Sequence, residues 1–258
     1  MVMGLLDIII DAVEDLYWTD ERLGKHGEDL TEKKLNLINL FGRKGKTLRN
    51  IYIPKDNGET SEIDLVYITQ KGIFVLESKN YSGWIFGDAV SQYWTSCLPN
   101  GERNRFYNPV KQNRTHIKWL SSYLSGASLT VPLFSVIVFS ERCELKKVPE
   151  DSDDVMICNR DMLYWKIRSK WDKLLDTVSD ADSEKVYQLL SRLTIVSEAQ
   201  KQAHIDSITK KKMNASENLV CPRCGSSLVL RTAHSGNNAG KQFYGCSGFP
   251  KCRYTKNI

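Results

Sequence analysis

Residues 62–83 read EIDLVYITQKGIFVLESKNYSG, and this stretch decides the fold. EIDLVYIT and GIFVLESK are both rich in β-branched and aromatic residues, the composition of strands. Gln70 and Lys71 join them. If these two residues are the whole hairpin loop, Thr69 faces Gly72, and counting outward sets Asp64 across from Glu77. Directly opposed residues hold their Cβ atoms about 4.5–5.5 Å apart. Two carboxylates that close repel unless a cation joins them. A hard divalent ion such as Mg²⁺ or Mn²⁺ suits such oxygen ligands. Side chains alternate along a strand, so Lys79 shares a face with Glu77 and could touch the same substrate. A loop one residue longer or shorter would move Asp64 to the other face.

Such a trio suits phosphodiester hydrolysis. The ion polarises a phosphoryl oxygen and acidifies a water, and an ammonium stabilises the pentavalent transition state or orients that water. A bare Asp-x₁₂-Glu-x-Lys spacing also fits a surface hairpin with a Lys–Glu pair and an unrelated Asp.

Working outward, residues 27–41 have the spacing of a helix, and residues 49–54 that of a short strand. Residues 82–94 continue the sheet. Asn108 and Pro109 form a helix start, a good N-cap followed by a residue preorganised for the first turn. Residues 132–140 (PLFSVIVFS) form a nearly continuous apolar strand, the pattern of a strand covered on both faces. Helices follow Asp161 and begin near Ser183. The expected divisions are an amphipathic helix at 1–20, a main domain at 21–145, a helical extension at 146–208, a basic linker at 209–218 and a metal-binding module at 219–258. The fold class is α/β, a mixed sheet flanked by helices. No glycine-rich phosphate loop is present.

Quoted together, Gly24-Lys25-His26-Gly27-Glu28, Glu62-Ile63-Asp64, Gly72 through Gly83, and Asn108-Pro109-Val110-Lys111-Gln112 resemble the nuclease-related domain family. That resemblance implies a PD-(D/E)xK nuclease-like sheet. It implies that Asp64 and Glu77 are the Mg²⁺- or Mn²⁺-binding carboxylates and Lys79 the catalytic lysine. Glu28 is then the accessory acid, and Gln112 the site-facing residue of the later helix. Glu28 also fits a favourable acid in a helix's first turn, and Gln112 a surface position. Trp84 and Trp94 follow the site and could stack on bases, although packing in the sheet explains them as well.

The hydrophobic share of 41% and charged share of 26% exclude a mainly disordered or disulfide-scaffold chain. Charge is uneven: residues 199–258 hold ten Lys or Arg against two Asp or Glu, whereas residues 1–198 hold 26 against 29. A basic tail on a slightly acidic body points toward a polyanion, and nucleic acid is the first candidate, with a solvated lysine-rich linker as the alternative.

Four of the seven cysteines fall between Cys221 and Cys252. Cys221 and Cys224 on a tight turn, with Cys246 and Cys252 from a second loop, can complete a tetrahedral Zn²⁺ site. So short a module cannot bury a large core and is expected to need a structural metal. The spacing, with Phe243-Tyr244-Gly245-Cys246 and Phe249-Pro250-Lys251-Cys252, is similar to the C-terminal four-cysteine zinc finger of bacterial type I DNA topoisomerases. That resemblance implies binding of DNA, single-stranded by preference. Arg223, Arg231, Lys241, Lys251 and Arg253 can neutralise phosphates, while Phe243 and Tyr244 can stack on bases or pack around the metal.

No segment reaches the length of a membrane span, and the expected setting is the bacterial cytoplasm. The expectation is a metal-dependent nuclease carried to DNA by a zinc ribbon. The alternative is a non-catalytic DNA-binding or adaptor protein that keeps the nuclease fold.

Overall fold

The computed structural model describes residues 20–40, 44–217, 221, 223–224, 226–233, 240 and 242–257. The expected helix at 1–20 lies outside them, apart from Asp20. The chain forms two compact units, one ending at Val196 and one beginning at Ser197.

The first unit is built on five strands: β1 (Gly45–Pro54), β2 (Thr60–Thr69), β3 (Gly72–Lys79), β7 (Leu133–Phe139) and β9 (Val155–Asn159). They lie in the order β1-β2-β3-β7-β9. β1, β2 and β3 run antiparallel, and β7 and β9 join parallel to β3, so the sheet is mixed. The β2–β3 hairpin pairs Thr69 with Gly72 across Gln70 and Lys71. Gly72 sits at φ +132°, and a Cβ there would lie 2.5 Å from the carbonyl oxygen of Pro132, which already accepts the Ile73 amide. Glycine is therefore required where β3 enters the sheet.

Helices cover both faces. On one side α1 (Asp20–Leu40) and α3 (Leu163–Trp171) pack Leu35, Ile38, Leu163 and Ile167 against Leu65, Leu76 and Val136. On the other, α2 (Pro109–Gly126) and α4 (Asp180–Ser191) set Leu120, Leu124, Val186 and Leu190 on Ile63, Val66 and Val75. The apolar run over 132–140 is covered on both faces, as its composition demands. Asn108 caps α2, accepting the amides of Val110 and Lys111. Its own amide group donates to the carbonyls of Asp88 and Ser91 and fixes the helix start to a neighbouring loop.

Residues 82–94 do not continue the main sheet. A second sheet forms from β4 (Gly83–Phe86), β5 (Tyr93–Cys97), β6 (Arg103–Tyr107) and β8 (Cys143–Lys147), ordered β6-β5-β4-β8. Gly83 makes the departure at φ +78°, where an added Cβ would meet the Cys97 carbonyl at 2.3 Å. Its inner face packs Ile85, Trp94 and Phe106 on Ile137 and Phe139, with Trp94 stacked on Phe139 at 6.0 Å. Trp94 is thus a core residue, but Trp84 is 43% exposed on the outer face.

The segment expected to be helical, 146–208, contains β9, an edge strand of the main sheet. Its five residues, VMICN, are too short to show a period. The helix expected from Ser183 breaks in two. α4 ends at Ser191, and the Leu193 carbonyl accepts the Tyr52 amide, tying the turn to β1. α5 (Glu198–Glu217) then runs through most of the expected linker at 209–218, where Lys and Ala favour helix despite few apolar residues.

The second unit holds α5 and a three-stranded antiparallel sheet of β10 (Leu228–Thr232), β11 (Gln242–Cys246) and β12 (Thr255–Asn257). Its small core is Leu228 with Cys221 and Cys246. Among the described residues no helix is long and apolar enough to cross a membrane.

Candidate active site and zinc site

The ladder between β2 and β3 ends at Leu65–Leu76. One position further, Asp64 and Glu77 stand where the register sets them opposite. Asp64 Oδ2 accepts the Ser78 amide at 2.8 Å, so a side chain takes the place of the next strand carbonyl. β1 contributes to this break. Arg49 pairs with Leu65 and Ile51 with Ile63, which leaves Asn50 across from Asp64 at φ +49°. Asn tolerates this left-handed geometry better than most residues. Ile63 and Val66 consequently share one core although they are three residues apart.

Glu77 is 1% exposed. Lys79 Nζ lies 2.6 Å from Glu77 Oε1 and donates to Gln112 Oε1 at 3.2 Å. Gln112 stands in the first turn of α2, so the Asn108 cap also sets its position. One helical turn later, His116 Nε2 lies 3.2 Å from Glu77 Oε2, while His116 Nδ1 shares a hydrogen bond with Ser61 Oγ at 2.8 Å. Glu28, on α1, faces Arg49 at 3.4 Å. It is near enough to Asp64 to disfavour that residue's charge.

These neighbours pull the two carboxylates apart in acidity. Burial and then Glu77 push Asp64 well above the usual carboxylate range, against the attraction of Lys79 and the Ser78 amide. Burial also works to raise Glu77, but Lys79 and His116 overcome it and hold Glu77 below its ordinary value. Burial works against the charge on Lys79, and Glu77 and Asp64 more than compensate, so the ammonium is retained to higher pH. Burial raises Glu28, with Arg49 opposing.

The donor set fits a hard divalent cation. Asp64 and Glu77 offer carboxylate oxygens, and buried Glu77 Oε2 makes no well-formed hydrogen bond, although His116 Nε2 lies 3.2 Å away. Structure brings Asp64, Glu77, Lys79 and Gln112 together, with Glu28 at the edge. Sequence reading missed His116, Ser61 and Arg49. His116 had a usable signal, since it stands four residues after Gln112 and therefore on the same helical face.

In the second unit, the Sγ atoms of Cys221, Cys224, Cys246 and Cys252 all lie within 4.8 Å of one another. Hydrogen bonds from Ser226 lower the Cys224 thiol to about 6, toward the thiolate that a metal needs. Four sulfurs so close are the donor set of structural Zn²⁺. Burial raises Cys246 of the same set to about 12, and in the first unit it pushes Cys143 and Cys158 up to about 11 and about 12. A groove of about 750 Å³ on the ribbon is lined by Arg231, Phe243, Phe249 and Arg253, with Arg231 over the Phe249 ring at 5.7 Å. Tyr244 and Tyr254 pack against the cysteine core. Arg223 and Lys251 are exposed, and Lys241 lies outside the described residues.

A mixed sheet bearing partly buried Asp64, buried Glu77 and Lys79, followed by a four-cysteine ribbon, defines a nuclease-like domain carried with a zinc finger. Residues 23–140 match the model of the nuclease-related domain, and residues 219–258 match that of the topoisomerase DNA-binding C4 zinc finger. The chain thus contains a nuclease-related domain and a topoisomerase-type C4 zinc ribbon. An uncharacterised protein of Bacillus anthracis is 28% identical over 188 residues, covering 73% of this chain and 84% of that protein. DNA topoisomerase 1 of Methanocaldococcus jannaschii is 45% identical over 42 residues, covering 16% of this chain and 5% of that enzyme. DNA topoisomerase 1 of Methanothermobacter thermautotrophicus is 41% identical over 59 residues, covering 22% of this chain and 8% of its own. The chain therefore spans only a small part of either topoisomerase. No solved structure matches it.

Proposed function

We propose that the chain is a metal-dependent nuclease that hydrolyses phosphodiester bonds in DNA, held to its substrate by the ribbon. The observation that carries this reading is the convergence of Asp64, Glu77 and Lys79 where the β2–β3 ladder ends. Asp64 and Glu77 would hold Mg²⁺ or Mn²⁺. That ion would supply Lewis-acid polarisation of the phosphoryl group and a more acidic water.

The protein's own residues do the rest. Lys79 keeps its proton between two carboxylates, which suits it to stabilising negative charge on the transferring phosphoryl group rather than to acting as a base. Gln112 accepts one of the ammonium hydrogens and fixes its direction. Glu28, whose carboxyl is raised by burial, is an additional acid at the edge of the site. The ribbon adds affinity by tethering, which raises the effective concentration of DNA without new contacts at the reacting phosphate.

Incubation with single-stranded, double-stranded and supercoiled DNA in Mg²⁺, Mn²⁺ or chelator tests the reading. Cleavage that needs the metal and disappears in Asp64→Ala/Glu77→Ala supports it. DNA binding without cleavage in any metal favours the adaptor reading.

A further inference from the structure

The second sheet has an outer face that the reaction does not use. Trp84 and Phe86 on β4, Tyr93 on β5 and Tyr107 on β6 point outward, and each is between 38% and 43% exposed. Register interleaves them with cations. Tyr93 pairs with Tyr107, Thr95 with Arg105 and Cys97 with Arg103, all on this face. Arg105 lies over the Tyr93 ring at 4.8 Å, and Lys146, on β8, over the Trp84 ring at 6.0 Å. Glu144 stands opposite Trp84 and is paired with Lys146 at 2.5 Å. Asp88, in the β4–β5 loop, is engaged by the amides and hydroxyl of its own turn.

Protein interfaces also gather aromatic and arginine side chains, but they are depleted of lysine, which here lies over the Trp84 ring. This face instead places cations between half-exposed rings, the combination that tracks a phosphate backbone while bases stack. Rings stack only on bases that are not already enclosed in a duplex. The sheet is also bracketed by the site: β4 begins four residues after Lys79, and β6 leads through Asn108 into α2 and Gln112. Tyr81 stacks on Phe106 at 4.3 Å, and Asn108 bonds the β4–β5 loop, so the platform is fixed to the catalytic elements at both ends.

We propose that the outer face of β6-β5-β4-β8 is a stacking platform for a single-stranded segment of the DNA substrate. Trp84, Phe86 and Tyr93 take bases, while Arg103, Arg105 and Lys146 neutralise phosphates. This rests on the nucleic-acid reading above and adds the strand state of the substrate.

The test uses the full, zinc-loaded chain without added Mg²⁺ or Mn²⁺, so that a protein unable to cleave still gives an answer. Single-stranded oligodeoxynucleotides carrying 5-iododeoxyuridine are photocrosslinked, and the modified peptides are mapped by mass spectrometry. Adducts on Trp84, Phe86, Tyr93 or Tyr107 are expected, in addition to those on the ribbon. Trp84→Ala/Tyr93→Ala should weaken single-strand affinity about tenfold or more and duplex affinity little. Trp84→Phe/Tyr93→Phe should retain it, and unchanged circular dichroism and zinc content would show that the fold survives. Adducts confined to the ribbon would overturn the proposal, as would equal losses on single strands and duplexes. Tighter binding of RNA than of DNA at this face, or dimerisation abolished by the double substitution, would also overturn it.

Discussion

Asp64 Oδ2 accepts the amide hydrogen of Ser78 at 2.8 Å, inserting a carboxylate between the two residues, Glu77 and Lys79, that complete the candidate site. The bond fixes the carboxylate but leaves it partly buried beside a second one. Burial and Glu77 raise the folded-state pKa of Asp64. A carboxyl raised on folding costs stability as pH climbs from its unfolded toward its folded pKa, and the cost is fully present above both. Asp64→Asn keeps an acceptor for Ser78 and removes the charge. It should therefore stabilise the metal-free protein at neutral pH by roughly 1 kcal/mol while ending Mn²⁺ binding. Thermal unfolding at several pH values checks this. The gain should shrink toward low pH, where Asp64 is protonated in both states.

Lys79 gives a prediction of opposite character. Its ammonium neutralises Glu77, so Lys79→Met should preserve or tighten metal affinity and still lower the cleavage rate by about 10²- to 10³-fold. Calorimetric Mn²⁺ titration and single-turnover cleavage separate the two effects. Loss of metal binding with unchanged rate at saturation would assign Lys79 to structure instead.

His116 touches Glu77 from the side away from Lys79, and Ser61 fixes its other nitrogen. Removing a partner that orients a ligand typically weakens metal affinity about 10- to 100-fold. His116→Ala should accordingly raise the Mg²⁺ concentration needed for half-maximal cleavage about tenfold, with the rate at saturating metal nearly recovered. A metal-response curve measures both quantities.

The ribbon's described core contains Leu228 and two of the cysteines, too little to fold without an ion. Zinc removal, or Cys221→Ser, should release the metal, unfold β10–β12 and weaken DNA binding, while the first unit keeps its own melting transition. Zinc-sensitive dye titration with circular dichroism follows the separate losses.

The two tryptophans of the second sheet should respond very differently. Trp94 is fully buried, stacks on Phe139 and donates its indole hydrogen to the Asp88 carbonyl. Trp94→Ala should cost about 3–5 kcal/mol. Trp84→Ala, on the exposed face, should cost about 1 kcal/mol or less. Denaturant unfolding of the two variants compares them directly.

These contrasts also mark what could be read from sequence. The β2–β3 hairpin was legible because Gln70 and Lys71 separate two runs of strand composition, and because a two-residue loop leaves one register. Asn108 and Pro109 announced α2 because capping chemistry is local. The second sheet was not legible. Its separation depends on the left-handed turn at Gly83 and on parallel pairing with β8, some sixty residues later. β9 was missed because five residues carry no period, and α5 because lysines support a helix that no apolar stripe reveals. At the site, the shared face of Asp64, Glu77 and Lys79 followed from alternation and register, whereas their assignment as a site, with Glu28 and Gln112, came from the family resemblance. Arg49 and Ser61 followed from neither, because their approach is created by the folding of β1 and β2 against α1 and α2.

The most direct measurement of the central claim is conversion of supercoiled plasmid by the purified chain, with and without Mn²⁺, for wild type and for Asp64→Ala, Glu77→Ala and Lys79→Ala. The account predicts nicking or linearisation by wild type only when the metal is present, none by Asp64→Ala or Glu77→Ala, and a rate lowered by about 10²-fold or more by Lys79→Ala. Undiminished cleavage by all three variants, or no cleavage by wild type in Mg²⁺ or Mn²⁺ on any DNA form, would contradict it.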